Sequence, residues 1–415
     1  MTPARRAQWG WALYDCANSA FATTVLAGFF PIFFRSYWNA GVPDDVVTFR
    51  LGLAHSASGA FILVLAPLLG ALADRGGAKK AFLFAFALLG AAATALLATA
   101  PANAWLVATT LFALASIGFS GSIVFYDALL VDVAGPREYE RVSALGYGLG
   151  YLGGGVLFAL NVAMVLKPAL FGLDGKTGAV QWSFVMVGLW WALFTLPLMR
   201  MVPAPSIPPR PPGSLLSASL RQLGATFSTL RQHRPIWLFL FAYWLYIDGV
   251  DTVIRMAVNF GQTLGFPDDS LIVALLIVQF VGFPAAIAFG RIGERFGPRN
   301  AVLLALAVYI GVTLWATTLT TVAQFYGMAM VIALVQGGVQ SQSRALFAQL
   351  IPSGRAGEFF GFYNMLGKFA VIFGPLLVGW AALVVADPRH SLLALLALFV
   401  PGALLLARVP VSLGR

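Results

Sequence analysis

Apolar runs of about twenty residues or more recur along the whole chain, at roughly 9–37, 50–73, 80–100, 103–133, 141–166, 180–201, 235–262, 270–291, 300–320, 322–350, 359–386 and 390–409. A helix rises about 1.5 Å per residue, so about twenty residues cross the roughly 30 Å hydrocarbon core of a bilayer. The runs therefore predict an all-α membrane protein with twelve transmembrane helices. Several runs overrun twenty residues and are expected to tilt or to extend past the bilayer. Only 10% of the residues are charged and 60% are hydrophobic. A soluble domain carries about 25% charge, so a water-covered surface is excluded.

The Lys and Arg residues set the orientation. With the N-terminus in the cytoplasm, nineteen of the 26 fall on the cytoplasmic side and five on the outer side, leaving Arg255 and Lys368 inside predicted helices. Both termini are thus expected to be cytoplasmic, in a multi-pass protein of the plasma (inner) membrane. The net charge of +10 belongs to these loops and does not point to nucleic acid. Arg5 and Arg6 precede a run too long for the core of a signal peptide, so the first helix is expected to stay. Cys16 is the one cysteine, which excludes an intramolecular disulfide.

Residues 202–234 make the one long polar break. Pro203 to Gly213 holds too many prolines to be helical and reads as an extended linker. Leu215 to Leu230 is amphipathic and basic and is expected to lie on the inner membrane surface. The break divides the chain into an N-terminal six-helix half (1–201), a linker (202–234) and a C-terminal six-helix half (235–415).

The halves repeat. Gly70-Ala-Leu-Ala-Asp74-Arg75-Gly-Gly77-Ala-Lys79 follows the second run, and Gly290-Arg-Ile-Gly-Glu294-Arg295-Phe-Gly297-Pro-Arg299 follows the eighth. Glycine, acid, arginine, glycine and base match in order. Trp11, Asp15 and Asn18 of the first run have counterparts in Trp244, Asp248 and Asp251 of the seventh. Two parallel repeats are the plan of the major facilitator fold, in which the solute site lies at the midplane between halves.

The duplicated loop resembles the signature of the major facilitator superfamily. Three further stretches are more discriminating: Ala12-Leu-Tyr-Asp-Cys-Ala-Asn-Ser-Ala-Phe21; Gly146-Tyr-Gly-Leu-Gly-Tyr-Leu-Gly-Gly154; and Gln336-Gly-Gly-Val-Gln-Ser-Gln-Ser-Arg344, continuing to Glu358-Phe-Phe-Gly-Phe-Tyr-Asn364 and Gly367-Lys-Phe369. They are similar to the bacterial branch related to the fungal vacuolar amino-acid effluxer. The resemblance covers nearly the whole chain and implies amino-acid efflux. It departs at Cys16, Asp127, Ile247 and Asp251, and the changes add acid near the centre.

Charges inside a bilayer are costly and mark function. Asp248, Asp251 and Arg255 fall within about 60° of arc at 100° per residue, and Asp251 to Arg255 is a favourable i,i+4 pair. They are expected to line the central cavity and bind substrate or couple protons, the alternative being a buried structural ion pair. Tyr14, Asp15 and Asn18 are placed on the transport path. Asp127 and Arg344 occupy equivalent positions in the two halves, and their pairing would make a cytoplasmic gate, the alternative being separate pairs with local loops. Lys368, near Asn364, is a candidate to bind an anionic group or to compensate one of the aspartates, and both residues are placed among the substrate-binding or proton-coupling candidates. Asp74, Arg75, Glu294 and Arg295, with Arg344, are assigned to a conformational latch, in which, as the resemblance implies, the acid meets neighbouring helix ends; the alternative for the loop residues is solvated charges that only set topology.

Other signals carry less. Gly148-Leu-Gly-Tyr-Leu-Gly153 matches a dinucleotide pattern, but that pattern needs a preceding strand; inside an apolar run it reads as close helix packing. His55, His233 and His390 are scattered, and no Cys/His cluster has metal-ligand spacing. No Gly-x-x-x-x-Gly-Lys-Ser/Thr loop occurs, so ATP does not drive the protein and no cofactor is expected. An intramembrane aspartyl protease lacks its second motif and does not explain the repeat. A non-transporting receptor leaves buried charges unused. The reading is thus a monomeric secondary transporter, not an enzyme, moving a small polar solute (an amino acid or similar) by alternating access with proton coupling; the alternative is an exporter or flippase of an amphiphilic, lipid-like molecule.

Overall fold

The computed structural model describes residues 2–43, 46–47, 49–50, 66–74, 77–204, 233–352, 354–385 and 387–410, with the backbone alone at 268, 368–372 and 388. The side chain of Lys368, Arg75, His55 and most of the 202–234 linker lie outside the described residues.

Among the described residues every regular element is helical. Thr2 caps α1 (Pro3–Trp38) by accepting from the Arg5 N–H, and Pro3 in the first turn gives up an N–H that has no partner there. The helix widens to π geometry at Phe21–Phe29 and again at Phe34–Trp38. There follow α2 (66–74), α3 (Lys79–Thr99), α4 (Trp105–Val133), α5 (Tyr139–Leu166), α6 (Lys176–Met201), α7 (Arg234–Thr263), α8 (Asp268–Phe296), α9 (Pro298–Ala316), α10 (Val322–Leu350), α11 (Ala356–Val384) and α12 (Arg389–Ala407). Ten helices among the described residues are long and apolar enough to span a bilayer, and α11 adds a shorter apolar part, Phe373–Val384. Large apolar side chains such as Trp182, Leu193, Trp380 and Leu383 stay exposed, as a surface solvated by lipid requires.

The repeated loop has a conformational basis. Gly77 and Gly297, the matched second glycines, both take positive φ, +60° and +82°, a region only glycine occupies freely. Each turns the chain directly into the next helix, α3 or α9. The matched first glycines are contact points. A Cβ on Gly70 would stand 2.2 Å from the Gly357 carbonyl oxygen of α11, and one on Gly290 would stand 2.8 Å from the Ala144 Cβ of α5.

Helix α5 packs closely against α1 and α8. A Cβ on Gly150 or Gly153 would collide with Ser19 or Cys16 of α1, and one on Gly148 or Gly155 would crowd Ile287 or Gln279 of α8. The glycines of the dinucleotide-like pattern thus serve close helix packing.

Candidate functional site

On the face where α1 begins and α12 ends, the first six helices meet the last six through a buried polar network centred on Arg344. Helix α10 delivers this side chain into a pocket formed by α1, α4 and α5, and leaves it 2% exposed. Its Nη1 lies 3.0 Å from Asp127 Oδ1 of α4, and its Nη2 lies 3.8 Å from Asp15 Oδ2 of α1. Its Nε donates to Ser143 Oγ at 2.9 Å and its Nη2 to the Ser143 carbonyl at 3.0 Å. The guanidinium also lies over the rings of Tyr147, Trp11 and Tyr126 at 4.5, 4.8 and 5.1 Å, a cation–π arrangement that strengthens when water is excluded.

The anions are held as firmly. Asn364 of α11 donates to Asp127 Oδ2 at 3.0 Å, and Tyr126 donates to Asp15 Oδ2 at 3.0 Å. Trp11 stacks on Tyr126 with centroids 4.3 Å apart and donates to its carbonyl at 2.8 Å. A buried charge is tolerated only when paired and hydrogen-bonded, and here both conditions are met across the seam between the two sets of six helices.

Around this centre the same face is tied at three further places. Asp74, at the end of α2, accepts from the Gly357 and Glu358 N–H groups, both at 2.9 Å, in the first turn of α11. Those N–H groups have no intrahelical partner, so the carboxylate caps the helix and meets the positive end of its dipole. Lys79 stands 3.4 Å from Asp74 and 3.0 Å from Asp132. Burial pushes the Asp74 carboxyl above the usual carboxylate range, against the pull of Lys79 and the two N–H groups. At the repeat-related place, Glu294 of α8 lies 3.7 Å from Arg141 of α5. The two acids act differently: one caps a helix, the other meets a side chain. Arg295 is exposed and lies over the ring of its neighbour Phe296, away from these ties. Gln349 of α10 adds a bond to Glu140 Oε1 of α5 at 2.7 Å.

The acids expected on the seventh run differ in burial. Asp248 is 1% exposed, and both its oxygens accept the Gly374 N–H of α11, at 2.9 and 3.0 Å. Gly374 precedes Pro375, which lies inside the continuous helix α11, so Asp248 ties α7 to the proline-bearing turn of α11. Asp251 is half-buried and Arg255 is exposed. Asp248→Leu leaves that N–H without its acceptor and is expected to lower stability by about 1–3 kcal/mol, whereas Asp248→Asn keeps an acceptor oxygen and most of the stability; thermal unfolding in detergent measures both. Tyr14 is buried beside Tyr126 and accepts from Trp191 Nε1 at 3.4 Å. Asn18 is buried, and its Nδ2 has no partner among the described residues. Of the candidates, then, Asp15, Asp127, Asn364 and Arg344 come together, while Asp248 sits elsewhere. Ser143 and Tyr147 were not singled out, although Tyr147 lies inside the glycine-rich motif of α5.

The comparisons with known proteins agree with this architecture. A family model described as "Vacuole effluxer Atg22 like" matches residues 3–415. The MFS-type transporter YxiO of Bacillus subtilis (strain 168) is 39% identical over 402 residues, covering 96% of this chain and 94% of its own. Autophagy-related protein 22-1 of Aspergillus niger is 28% identical over 262 residues, 58% of this chain and 42% of that protein. Among solved structures, the human organic anion transporter MFSD10 superimposes with a TM-score of 0.74 at 18% identity, covering 98% of this chain and 100% of that one. The likeness shows the fold, which is the major facilitator fold.

Proposed function

Given that the chain belongs to the vacuole effluxer Atg22-like family, we propose that it is a secondary active transporter that moves a small polar solute, an amino acid or similar, by proton-coupled alternating access. The reading places two six-helix halves, 1–201 and 235–415, in a plasma (inner) membrane with both termini cytoplasmic, and has them rock about a central cavity. The observation that carries it is the Asp127–Arg344–Asp15 network. A buried ion pair contributes little net stability over a packed apolar core. Divided between elements that separate and rejoin, it becomes a gate that forms in one state and is released in the other. Two carboxylates share one guanidinium, so a change of partner by Arg344 leaves one of them to exchange a proton. Asp74 and Glu294 latch the same face. Asn18, Asp251 and Lys368 remain candidates for the solute path.

The test uses purified protein. Thermal stabilisation is measured across amino acids, peptides, sugars and lipids, followed by flux in vesicles under an imposed pH gradient. A polar solute is expected to raise the unfolding temperature and to move faster with the gradient. Asp15→Asn and Asp127→Asn are expected to remove the dependence on the gradient. Stabilisation by lipid-like molecules alone would overturn the polar-solute reading, and wild-type flux indifferent to pH would overturn coupling.

A further inference from the structure

A second site lies on the same face but at its rim, where α1, α5 and α8 converge around a cavity of about 380 Å³. That is the volume of roughly a dozen waters at about 30 Å³ each. Arg5 comes from α1, Arg141 from α5, and Arg291 from α8, facing one carboxylate, Glu294. Arg141 is already held by Glu138 at 2.8 Å and approaches Glu294 at 3.7 Å. Among the described residues, the guanidinium groups of Arg5 and Arg291 have no protein partner. The cavity therefore carries an unbalanced positive charge.

Its polarity is ordered by depth. Helix α5 enters the bundle from this face, and α8 leaves through it. Leu145 is thus one turn deeper than Arg141, and Ile287 is one turn deeper than Arg291; all four line the cavity. On α1, Trp9 stands one turn deeper than Arg5 and is 39% exposed. Three helices repeat one pattern, an arginine nearer the face and an apolar or aromatic group about 6 Å further in. A free anion in water needs the arginines but not the apolar floor. An amphiphile with an anionic head and hydrocarbon behind it needs both, and Trp and Arg are the side chains that favour this depth of a bilayer.

We propose that this cavity binds the phosphodiester headgroup of an anionic phospholipid, with Arg5 and Arg291 on the phosphate and the acyl chains along Leu145 and Ile287. Arg5 and Arg141 belong to the first six helices and Arg291 to the last six. One headgroup therefore bridges the two sets beside the Arg141–Glu294 contact and favours the arrangement closed on this face.

The experiment compares wild type with Arg5→Gln/Arg291→Gln, two arginines outside the central network and the latch. Both are placed in phosphatidylcholine nanodiscs with and without phosphatidylglycerol. Unfolding temperature is recorded, and native mass spectrometry counts phosphatidylglycerol retained after extraction. Wild type is expected to keep phosphatidylglycerol and to gain stability from it. The double glutamine variant is expected to unfold as wild type does in pure phosphatidylcholine and to bind phosphatidylglycerol about thirtyfold more weakly, from the loss of two near-surface arginines. Arg5→Lys/Arg291→Lys keeps the charge and is expected to retain the lipid, which provides a comparison if the glutamine variant unfolds. Equal retention by wild type and the glutamine variant would overturn the proposal. So would reproduction of the stability gain by inorganic phosphate or by glycerophosphoglycerol without acyl chains, since either assigns the cavity to a free anion.

Discussion

Arg344→Met is expected to abolish transport and to lower the stability of the protein by about 3–5 kcal/mol, the cost of removing one partner of a buried charge pair. Methionine fills much of the volume but supplies no donor. Among the described residues, Asp127 then keeps only Asn364, at 3.0 Å, and Asp15 keeps only Tyr126, at 3.0 Å. Both carboxylates are nearly inaccessible to water, with Asp15 at 7% and Asp127 at 3% exposure. Ser143 also loses the donors to its hydroxyl and its carbonyl. The double variant Asp127→Asn/Arg344→Met removes the principal pair together and is expected to recover more than half of the lost stability without restoring transport. Arg344→Lys retains the charge but cannot reach Asp127, Asp15 and Ser143 together, because the ammonium lacks the planar fork; flux is expected to stay low. Thermal unfolding and vesicle flux on wild type, Asp127→Asn, Arg344→Met and the double variant give a double-mutant cycle. Strictly additive stability losses would show that Arg344 and Asp127 do not support each other, and flux retained in Arg344→Met would remove the pair from the cycle altogether.

The pairing of Asp127 with Arg344 was legible in the sequence because the two residues occupy matching places in a repeat, one acidic and one basic. The helices were legible for a simpler reason: a bilayer demands about twenty apolar residues per crossing, and the observed α7 (Arg234–Thr263) lies within a residue of the 235–262 run. Where α8 outlasts its apolar run by five residues, to Phe296, the extra turn is the repeated polar loop motif continuing as helix. The site was less legible wherever a side chain's partner is a backbone group. Nothing in the spacing of Asp248, Asp251 and Arg255 indicates that Asp248 accepts the Gly374 N–H of α11, because that depends on how two helices distant in sequence lie against each other. Periodicity put the three residues on one face and could not say which neighbour that face would meet. The same limit hid Ser143, whose hydroxyl donates to the Ser341 carbonyl of α10 at 2.7 Å and accepts from Arg344. Asp74 was assigned to helix ends through resemblance, whereas its two bonds to α11 follow from an ordinary rule: the first turn of any helix has donors to spare.

Gly70→Val is expected to hold the protein open on the face that carries these contacts and to stop transport while leaving each set of six helices folded. The reason is geometric. A Cβ on Gly70 would stand 2.2 Å from the Gly357 carbonyl oxygen, 2.6 Å from the carbonyl carbon and 3.1 Å from the Glu358 Cα. These are backbone atoms, so no change of rotamer relieves the clash. Gly361 continues the seam, where an added Cβ would stand 2.8 Å from the Ala66 carbonyl oxygen. Overpacking in an ordinary core costs about 1–3 kcal/mol because nothing can move away. In the proposed rocking cycle α2 and α11 lie in different halves, so separating them would remove the strain. The Asp74 cap on Gly357 and Glu358 is lost in the same movement. Spin labels at the exposed positions Arg137 and Asn300 (one on each set) in a Cys16→Ala background report the opening as a longer interspin distance. A shift to longer distances in Gly70→Val, with no shift in Gly311→Val, is the expected outcome; a Cβ on Gly311 would meet no atom within 4 Å. An unchanged distance distribution together with wild-type flux would show that the seam between α2 and α11 does not have to close for the protein to work.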